Sequence, residues 1–223
     1  MNKALRIYAY VAPVVLAPLT FLLWYREYAG DLELVAGAWL VPVLWAYIVP
    51  GIGTNVLKVW EFDTRLKLGR FRVHHGFVFG SATALLAWLV HVPATSAFDL
   101  VRNALVFSAL LGFWNLLYDV AALRAGVLRV YNQPWADGRD EAAVALDYAP
   151  WFFGGFGAVY GCGIGALELL RAAGLLTTPL FALAFVVLLA AALALPVAGY
   201  VARSRRRHGH SGTRPVEKTC RSA

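Results

Sequence analysis

Two aspartates at the edges of apolar runs are the residues best suited to chemistry in this sequence. Asp119 lies near the end of one such run, and Asp147 lies at the start of the next. Two carboxyl groups that share a site of low dielectric constant do not both ionise readily, so one retains a proton and can act as an acid. The sequence therefore predicts that Asp119 and Asp147 meet and transfer protons. The structural alternative is an ion pair with Arg65, Arg70, Arg72 or Arg124.

Other polar side chains complete the predicted site. The predicted catalytic residues are Asp119, Asp147, His74, His75 and Glu61. The predicted substrate-binding residues are Asn115, Tyr118, Arg72, Asn55, Trp114, Tyr148 and Asn132. In this interpretation Asn115 and Tyr118 orient the substrate, a histidine supplies a second acid or base, and a guanidinium holds a polar headgroup.

The histidine pair does not favour a metal site. His74 and His75 are adjacent, so on a helix their side chains diverge by about 100° and cannot easily share one ion. The sequence also lacks the His and Glu spacings that are typical of zinc or di-iron sites. We therefore expect neither metal nor cofactor. The alternative role for these residues is an interfacial pair, with one histidine hydrogen-bonded to Asp119 or Asp147.

The composition requires a bilayer around most of the chain. Of 223 residues, 60% are hydrophobic and only 15% are charged, and the mean hydropathy is +0.62. Soluble domains have about 25% charged residues, so a soluble protein is excluded, as are disordered and disulfide-framework classes. We expect no disulfide between Cys162 and Cys220, because one lies in an apolar run and the other in the polar tail.

The elements that position the candidate residues are predicted to be transmembrane helices. Six stretches approach the roughly 20 apolar residues that one crossing needs, and they cover residues 5–25, 34–57, 76–92, 100–123, 148–170 and 179–202. The apolar runs do not alternate as β-barrel strands do. The predicted fold is an all-α polytopic integral membrane protein, with residues 1–202 as the membrane domain.

Basic residues set the expected orientation, because cytoplasmic loops retain Lys and Arg. Seventeen of the 20 lie on the side of the N-terminus, and the other side holds Arg26, Arg102 and Arg171. Both termini are therefore expected in the cytoplasm, in a bacterial or archaeal cytoplasmic membrane. The basic tail, residues 203–223, is expected to be disordered and attracted to anionic lipid. Nucleic-acid binding or metal capture by its two histidines is the less favoured alternative.

Two patterns of small residues predict how the helices pack. Ala104, Ser108, Gly112, Asn115 and Asp119 share one face of the fourth span, which should point into the bundle because a carboxylate facing lipid is costly. A second pattern, Gly157, Gly161 and Gly165, allows close approach of another helix. This second face is predicted to be a helix-packing seam. The alternatives are a backbone surface against which a flat ligand lies and a contact between copies in a homo-oligomer. The loop 129–141 is expected to fold over the bundle.

Together these patterns predict a membrane enzyme that acts on a lipid-soluble substrate, such as an isoprenoid or an acyl lipid, at the cytoplasmic leaflet. Eight Trp and an aromatic content of 14% suit an apolar or cationic intermediate. A cyclase, an isomerase or a transferase would fit. The expected partners are membrane lipid and the substrate, and nucleic acid is not expected. A lipid transporter or binding protein, and a non-catalytic assembly subunit, are the alternatives.

Overall fold

The structure, a computed structural model, describes residues 2–218 as a bundle of long helices with two small sheets at one end. The helices are α1 (Asn2–Glu27), α2 (Leu32–Val56), α3 (His75–Val90), α4 (Ala97–Arg124), α5 (Gln133–Ala136), α6 (Glu141–Ala172) and α7 (Thr178–His208). The strands are β1 (Trp60–Phe62), β2 (Lys67–Leu68), β3 (Phe71–Arg72) and β4 (Leu128–Val130).

Five of these helices are long and apolar enough to cross a membrane, which confirms the prediction of a helical membrane protein. They are α1, α2, α4, α6 and α7. The predicted third span corresponds to α3, which has 16 residues. At 1.5 Å per residue it measures about 24 Å, which is shorter than a hydrocarbon core of about 30 Å.

Polar contacts collect at two opposite ends of the bundle. At one end, which we call the sheet end, Arg6 bonds to Asp63 at 2.8 Å on the loop that carries β1. At the other end, the Tyr28 hydroxyl donates to Glu168 at 2.8 Å, and His91 Nε2 lies 2.7 Å from the same carboxylate. The long helices and α3 therefore run between a sheet end and an opposite end.

Two carbonyl groups are bonded by aromatic donors from other helices at places where proline interrupts a helix. Pro42 has no N–H to offer to Ala38, four residues earlier, and the Tyr160 hydroxyl donates to that carbonyl. Pro196 stands in the same relation to Ala192, whose carbonyl accepts from the Trp45 indole at 2.9 Å. These prolines thus create acceptors that fix α2 against α6 and α7.

The glycine pattern of α6 is a packing seam within the chain. A Cβ atom added to Gly157 would lie 2.5 Å from the Phe107 carbonyl oxygen, and one added to Gly161 would lie 2.5 Å from that of Asn103. Both carbonyls belong to α4. The predicted seam is confirmed, and this face is filled by α4, so it is not open to a second copy of the chain.

The loops at the sheet end are more structured than the sequence analysis expected. β1 pairs antiparallel with β4, aligning Trp60 with Val130, and β2 pairs with β3 in a tight hairpin. The loop 129–141 is therefore joined to the loop that follows α2. Period-two alternation places Trp60 and Phe62 on one side of β1 and Glu61 on the other.

The first part of the tail lies against the bundle, where a disordered segment was expected. α7 continues to His208 and ends at Gly209, whose φ of +77° suits glycine. Beyond it the Val216 amide donates to the Tyr131 carbonyl at 3.0 Å, and the Lys218 ammonium lies 4.9 Å from the centre of the Trp135 ring. These contacts to the loop 129–141 explain why the first part of the tail is ordered. Residues 219–223, including Cys220, lie outside the described residues.

Candidate functional site

An apolar cavity of about 60 Å³ lies inside the bundle near the sheet end. α2, β1, α3, α4, β4 and α6 all contribute to its wall. The lining residues are Trp45, Ala46, Val49, Pro50, Trp60, Phe62, His75, Phe79, Thr83, Asn115, Asp119, Leu128, Tyr148, Phe152, Phe153 and Phe156. A volume of this size admits a few groups as large as a water molecule. It therefore suits the reacting part of a molecule rather than a whole lipid.

Asp119 and Tyr148 form the central polar contact of this cavity. Tyr148 Oη donates to Asp119 Oδ2 at 2.5 Å, and both residues are buried, with 3% and 7% of Tyr148 and Asp119 exposed. α4 brings the carboxyl group to the wall, and α6 brings the phenol from the facing side. The phenol positions the carboxyl group and completes one of its hydrogen bonds.

His75 adds a third polar group to the same wall. It is buried at the start of α3, and its Nδ1 atom has no hydrogen-bond partner among the described residues. Its ring lies between Phe62 and Phe79, with ring centres 4.6 Å and 4.5 Å away. An unpaired buried nitrogen is costly, so His75 is suited to receive a polar group of a ligand.

Asn115 lies one helical turn before Asp119 and borders the cavity, as the polar face of α4 predicts. Its Nδ2 atom donates to the Leu111 carbonyl at 2.8 Å. Four predicted residues, Asp119, His75, Asn115 and Tyr148, are therefore brought together.

Asp147 does not meet Asp119 in the described residues, so this part of the prediction is wrong. Asp147 Oδ1 lies 2.9 Å from His208 Nε2, and Oδ2 accepts from Asn132 at 3.3 Å. Because Asp147 and Tyr148 are adjacent on α6, their side chains point in directions about 100° apart. Tyr148 faces the cavity, and Asp147 faces the end of α7.

The predicted partners of both aspartates are also different from those found. Neither carboxylate forms an ion pair with Arg65, Arg70, Arg72 or Arg124 within the part of the chain that the structure describes, and Arg70 instead pairs with Glu61 at 3.0 Å. The histidine that reaches Asp147 comes from the tail rather than from His74 or His75.

Glu61 and His74 lie away from the cavity. Glu61 accepts from the Tyr131 hydroxyl at 2.9 Å and from Arg70, and these bonds hold the pKa of its carboxyl group below the ordinary value of 4.5. His74 precedes α3, with its ring 5.5 Å from that of Tyr10. Burial, followed by the charge of Arg72, lowers the pKa of His74, which favours the neutral ring at pH 7.

Arg72 and Tyr118 lie behind the cavity wall. The Arg72 guanidinium stands over Phe62 and Phe79, at 5.6 Å and 5.9 Å from their ring centres. The Tyr118 ring packs edge-on against Phe79 at 5.2 Å. Arg72 Nη1 and Tyr118 Oη have no hydrogen-bond partner among the described residues. They support the wall from behind and do not line the cavity.

The other three predicted binding residues do not line this cavity, although Asn132 borders a second one. Asn55 donates to Leu68 and accepts from the Arg70 amide at 2.7 Å, which holds the β2–β3 hairpin. Asn132 caps α5 by accepting from the Trp135 amide. Trp114 is 52% exposed on α4, where lipid would surround it.

The sequence predicted an aromatic-lined cavity, but of the aromatic residues in its wall only Tyr148 was predicted. Trp45 packs on Phe156 with ring centres 4.4 Å apart, and Trp60 packs on Phe152 at 5.3 Å. Nothing in an apolar run separates a cavity-lining aromatic residue from a lipid-facing one. The alternation around Glu61 was the one available signal, since a short strand turns Trp60 and Phe62 to the same side.

A second, larger cavity of about 190 Å³ lies across the wall formed by Trp60, Tyr148 and Phe152. α7 and the tail close it through Val197, Tyr200, Gly212 and Thr213. The two cavities share these wall residues, so a movement of the aromatic side chains would join them.

Among residues 2–218, no group of three His, Cys, Asp or Glu side chains is placed to hold a metal ion. The chain matches no protein-family model, no curated protein and no solved structure, so the fold and the geometry of this cavity carry the functional argument.

Proposed function

We propose that this protein is a membrane-embedded enzyme that applies acid–base chemistry to a lipid-soluble substrate, an isoprenoid or an acyl lipid. The observation that carries the proposal is the buried contact between Asp119 and Tyr148 at the edge of an apolar cavity. Ionisable side chains within membrane segments are costly and are generally kept for function. An apolar pocket with a few converging polar groups is the usual form of a small-molecule site.

In the proposed reaction Asp119 is the proton-transferring group. Its carboxyl group takes a proton from the substrate or gives one to it, and Tyr148 holds the carboxyl group in place through their hydrogen bond. His75 provides a second polar contact from the facing wall. The aromatic walls exclude water and can stabilise positive charge that develops on an isoprenoid chain. An isomerase or a cyclase fits these groups well, since such reactions need only proton transfers.

The proposed topology has six spans and both termini in the cytoplasm. Its support is the excess of Lys and Arg at the sheet end and the course of α3, which links Phe62 and His75 at one end to His91 and Glu168 at the other. The cavity then opens nearest the inner leaflet of a cytoplasmic membrane. Membrane lipid and the substrate are the proposed partners.

The test compares the lipids of cells that express the full chain with those of cells that express Asp119→Asn. The amide keeps the size of the side chain and cannot exchange a proton. We expect a lipid product in the wild-type extract, found by mass spectrometry, that falls by at least about 10²-fold in the variant, the usual contribution of general acid–base catalysis. Membrane levels of the folded proteins are matched.

The matched control is Asp137→Asn, which changes an exposed aspartate whose carboxylate contacts Gln133. It should leave the product unchanged. A product that persists in Asp119→Asn contradicts the acid–base proposal, as does a wild-type extract with no lipid difference from an empty-vector strain.

A lipid-binding protein or transporter without chemistry is the second candidate, and the larger cavity beside Tyr200 favours it. In that case a lipid would co-purify equally with the wild type and with Asp119→Asn, and no product would form. An assembly subunit is less well supported, because α4 of the same chain fills the glycine face of α6.

A further inference from the structure

We propose that a groove along α1 binds an anionic phospholipid, with its phosphate at a cluster of arginines and one acyl chain along the helix. The upper part of this α1 groove, at the sheet end, is bordered by Arg6, Tyr10, Asp63, Arg65 and Arg72. The lower part is bordered by Pro13, Ala17, Phe21, Trp39 and Phe77. The inference is independent of the proposed catalysis, because Asp119 borders neither part.

Helical spacing aligns the two parts of the groove along one face of α1. Arg6, Tyr10, Pro13, Ala17 and Phe21 follow one another at intervals of three and four residues, so they occupy a sector of about 80° on α1. The first and last of them are separated by about 22 Å along the axis. Half of a hydrocarbon core of about 30 Å is about 15 Å, so this length accommodates a headgroup and one acyl chain of a single leaflet.

Aromatic side chains line the groove from its head to its foot. The Tyr10 ring lies 5.5 Å from that of His74 near the arginines. Further along, Trp39 meets Phe21 at 5.5 Å and Phe77 at 6.1 Å. Phe77 remains 37% exposed, and Tyr10 remains 43% exposed. An acyl chain that follows α1 would therefore contact aromatic side chains both near the arginines and near Trp39.

The positive charge at the sheet end of the groove favours the binding of an anion. Arg72 borders this part of the groove, is only 2% exposed and forms no ion pair with a carboxylate among the described residues. A buried charge without a counter-ion is costly. Asp63 is already paired with Arg6 at 2.8 Å, and Arg65 adds a further exposed positive charge. A phosphate accepts the paired hydrogen bonds that a guanidinium offers.

The first test measures lipid retention by native mass spectrometry of the full chain in detergent. The probes are phosphatidylglycerol and phosphatidylcholine with identical acyl chains. We expect preferential retention of phosphatidylglycerol, and about a fivefold loss of its affinity in Arg65→Gln, as expected for one basic residue near a membrane anion. Arg139→Gln, which removes an exposed charge from the loop before α6, is the matched control and should leave the affinity unchanged.

The second test concerns the acyl chain. Ala17→Leu fills the floor of the groove, whereas Ala4→Leu adds the same bulk at an exposed position on a different face of α1. Only Ala17→Leu should weaken the binding of phosphatidylglycerol. Equal retention of the two phospholipids overturns the proposal, and so does an equal loss in Arg65→Gln and Arg139→Gln. If free glycerol phosphate competes at the same concentration as the lipid, the proposal is also overturned, because the acyl chain would then contribute nothing to binding.

Discussion

Glu61 illustrates how one residue can be read in two ways. Its place among the polar residues between the second and third spans predicts a catalytic role, yet the side chain joins Arg70 to Tyr131 outside the cavity. It connects the loop after α2 to the loop before α6. The adjacent residues Trp60 and Phe62 face the cavity instead. At the residue scale, the alternation of side chains along β1 decides which residues line the cavity and which connect the loops.

This ion pair predicts a pH dependence of stability. The pKa of Glu61 in the folded protein is below its ordinary value of 4.5, first because of the Tyr131 hydrogen bond and then because of Arg70. The folded state thus binds this proton less readily than the unfolded chain, so the contribution to stability is present above pH 4.5 and is lost as the pH falls through the folded pKa. Glu61→Gln should flatten the decline in melting temperature in this acid range.

The measurement is thermal unfolding in detergent between pH 3 and pH 6. This range extends about one to two pH units on either side of the ordinary pKa of a glutamate. Asp137→Asn serves as the control, since it also removes one carboxylate from the sheet end. A decline that is equally steep in the wild type and in Glu61→Gln would contradict the assignment.

At the scale of elements, the contact between α4 and α6 decides where the polar groups lie. Three glycines of α6 let the backbone of α4 approach so closely that a Cβ atom at two of them would collide with carbonyl oxygens. The same packing carries Asp119 toward Tyr148. The glycine spacing predicted this seam from sequence alone, because small residues at intervals of four allow two helix backbones to approach closely.

This contact predicts different effects for two alanine substitutions on α6. Gly161→Ala places a methyl group 2.5 Å from the backbone of Asn103, which cannot move without shifting α4. Gly163→Ala places one 2.2 Å from Leu188 Cδ1, the end of a flexible side chain. We expect Gly161→Ala to cost about 1–3 kcal/mol, the typical range for overpacking, and Gly163→Ala to cost less. Thermal unfolding of both variants checks the order, which a similar loss in both would contradict.

The sequence predicted the helices better than it predicted the site. Apolar runs revealed the spans because length and hydropathy are local properties. The partner of Asp147 could not be found in this way, since His208 lies 61 residues away in a tail that looks disordered by composition. The pairing of β1 with β4 likewise joins residues about 70 positions apart. Contacts of this kind depend on how loops meet and leave no periodic signal in either segment.

At the scale of the whole molecule, the proposed topology depends on α3. Among residues 2–218 it is the one long helix whose length falls below that of a full crossing. Its ends nevertheless contact opposite poles of the bundle, Phe62 at the start and Glu168 through His91 at the finish. If α3 crosses as proposed, residues 67 and 173 lie on opposite sides of the membrane.

Cysteine labelling tests this prediction in a background with Cys162→Ser and Cys220→Ser. The substitutions are Lys67→Cys and Ala173→Cys. Both positions are exposed, the first in the β2–β3 hairpin and the second in the turn after α6. An impermeant maleimide should label the cysteine at position 173 in intact cells, and the cysteine at position 67 only after permeabilisation. Arg139→Cys provides a second reporter for the sheet end. Labelling of both loops from the outside would refute the six-span arrangement.

The bond between Tyr148 and Asp119 also bears on how the chain is made. Tyr148 follows Asp119 by 29 positions, so a ribosome completes α4 before it reaches Tyr148. During that interval Asp119 on the newly inserted α4 has no hydrogen bond from Tyr148, and the bilayer offers few water molecules to replace it. Arrival of α6 ends this exposure and closes the glycine seam in the same event. Biogenesis of the protein therefore depends on the timely delivery of α6, and substitutions at Tyr148 should lengthen the stay of α4 at the insertion machinery.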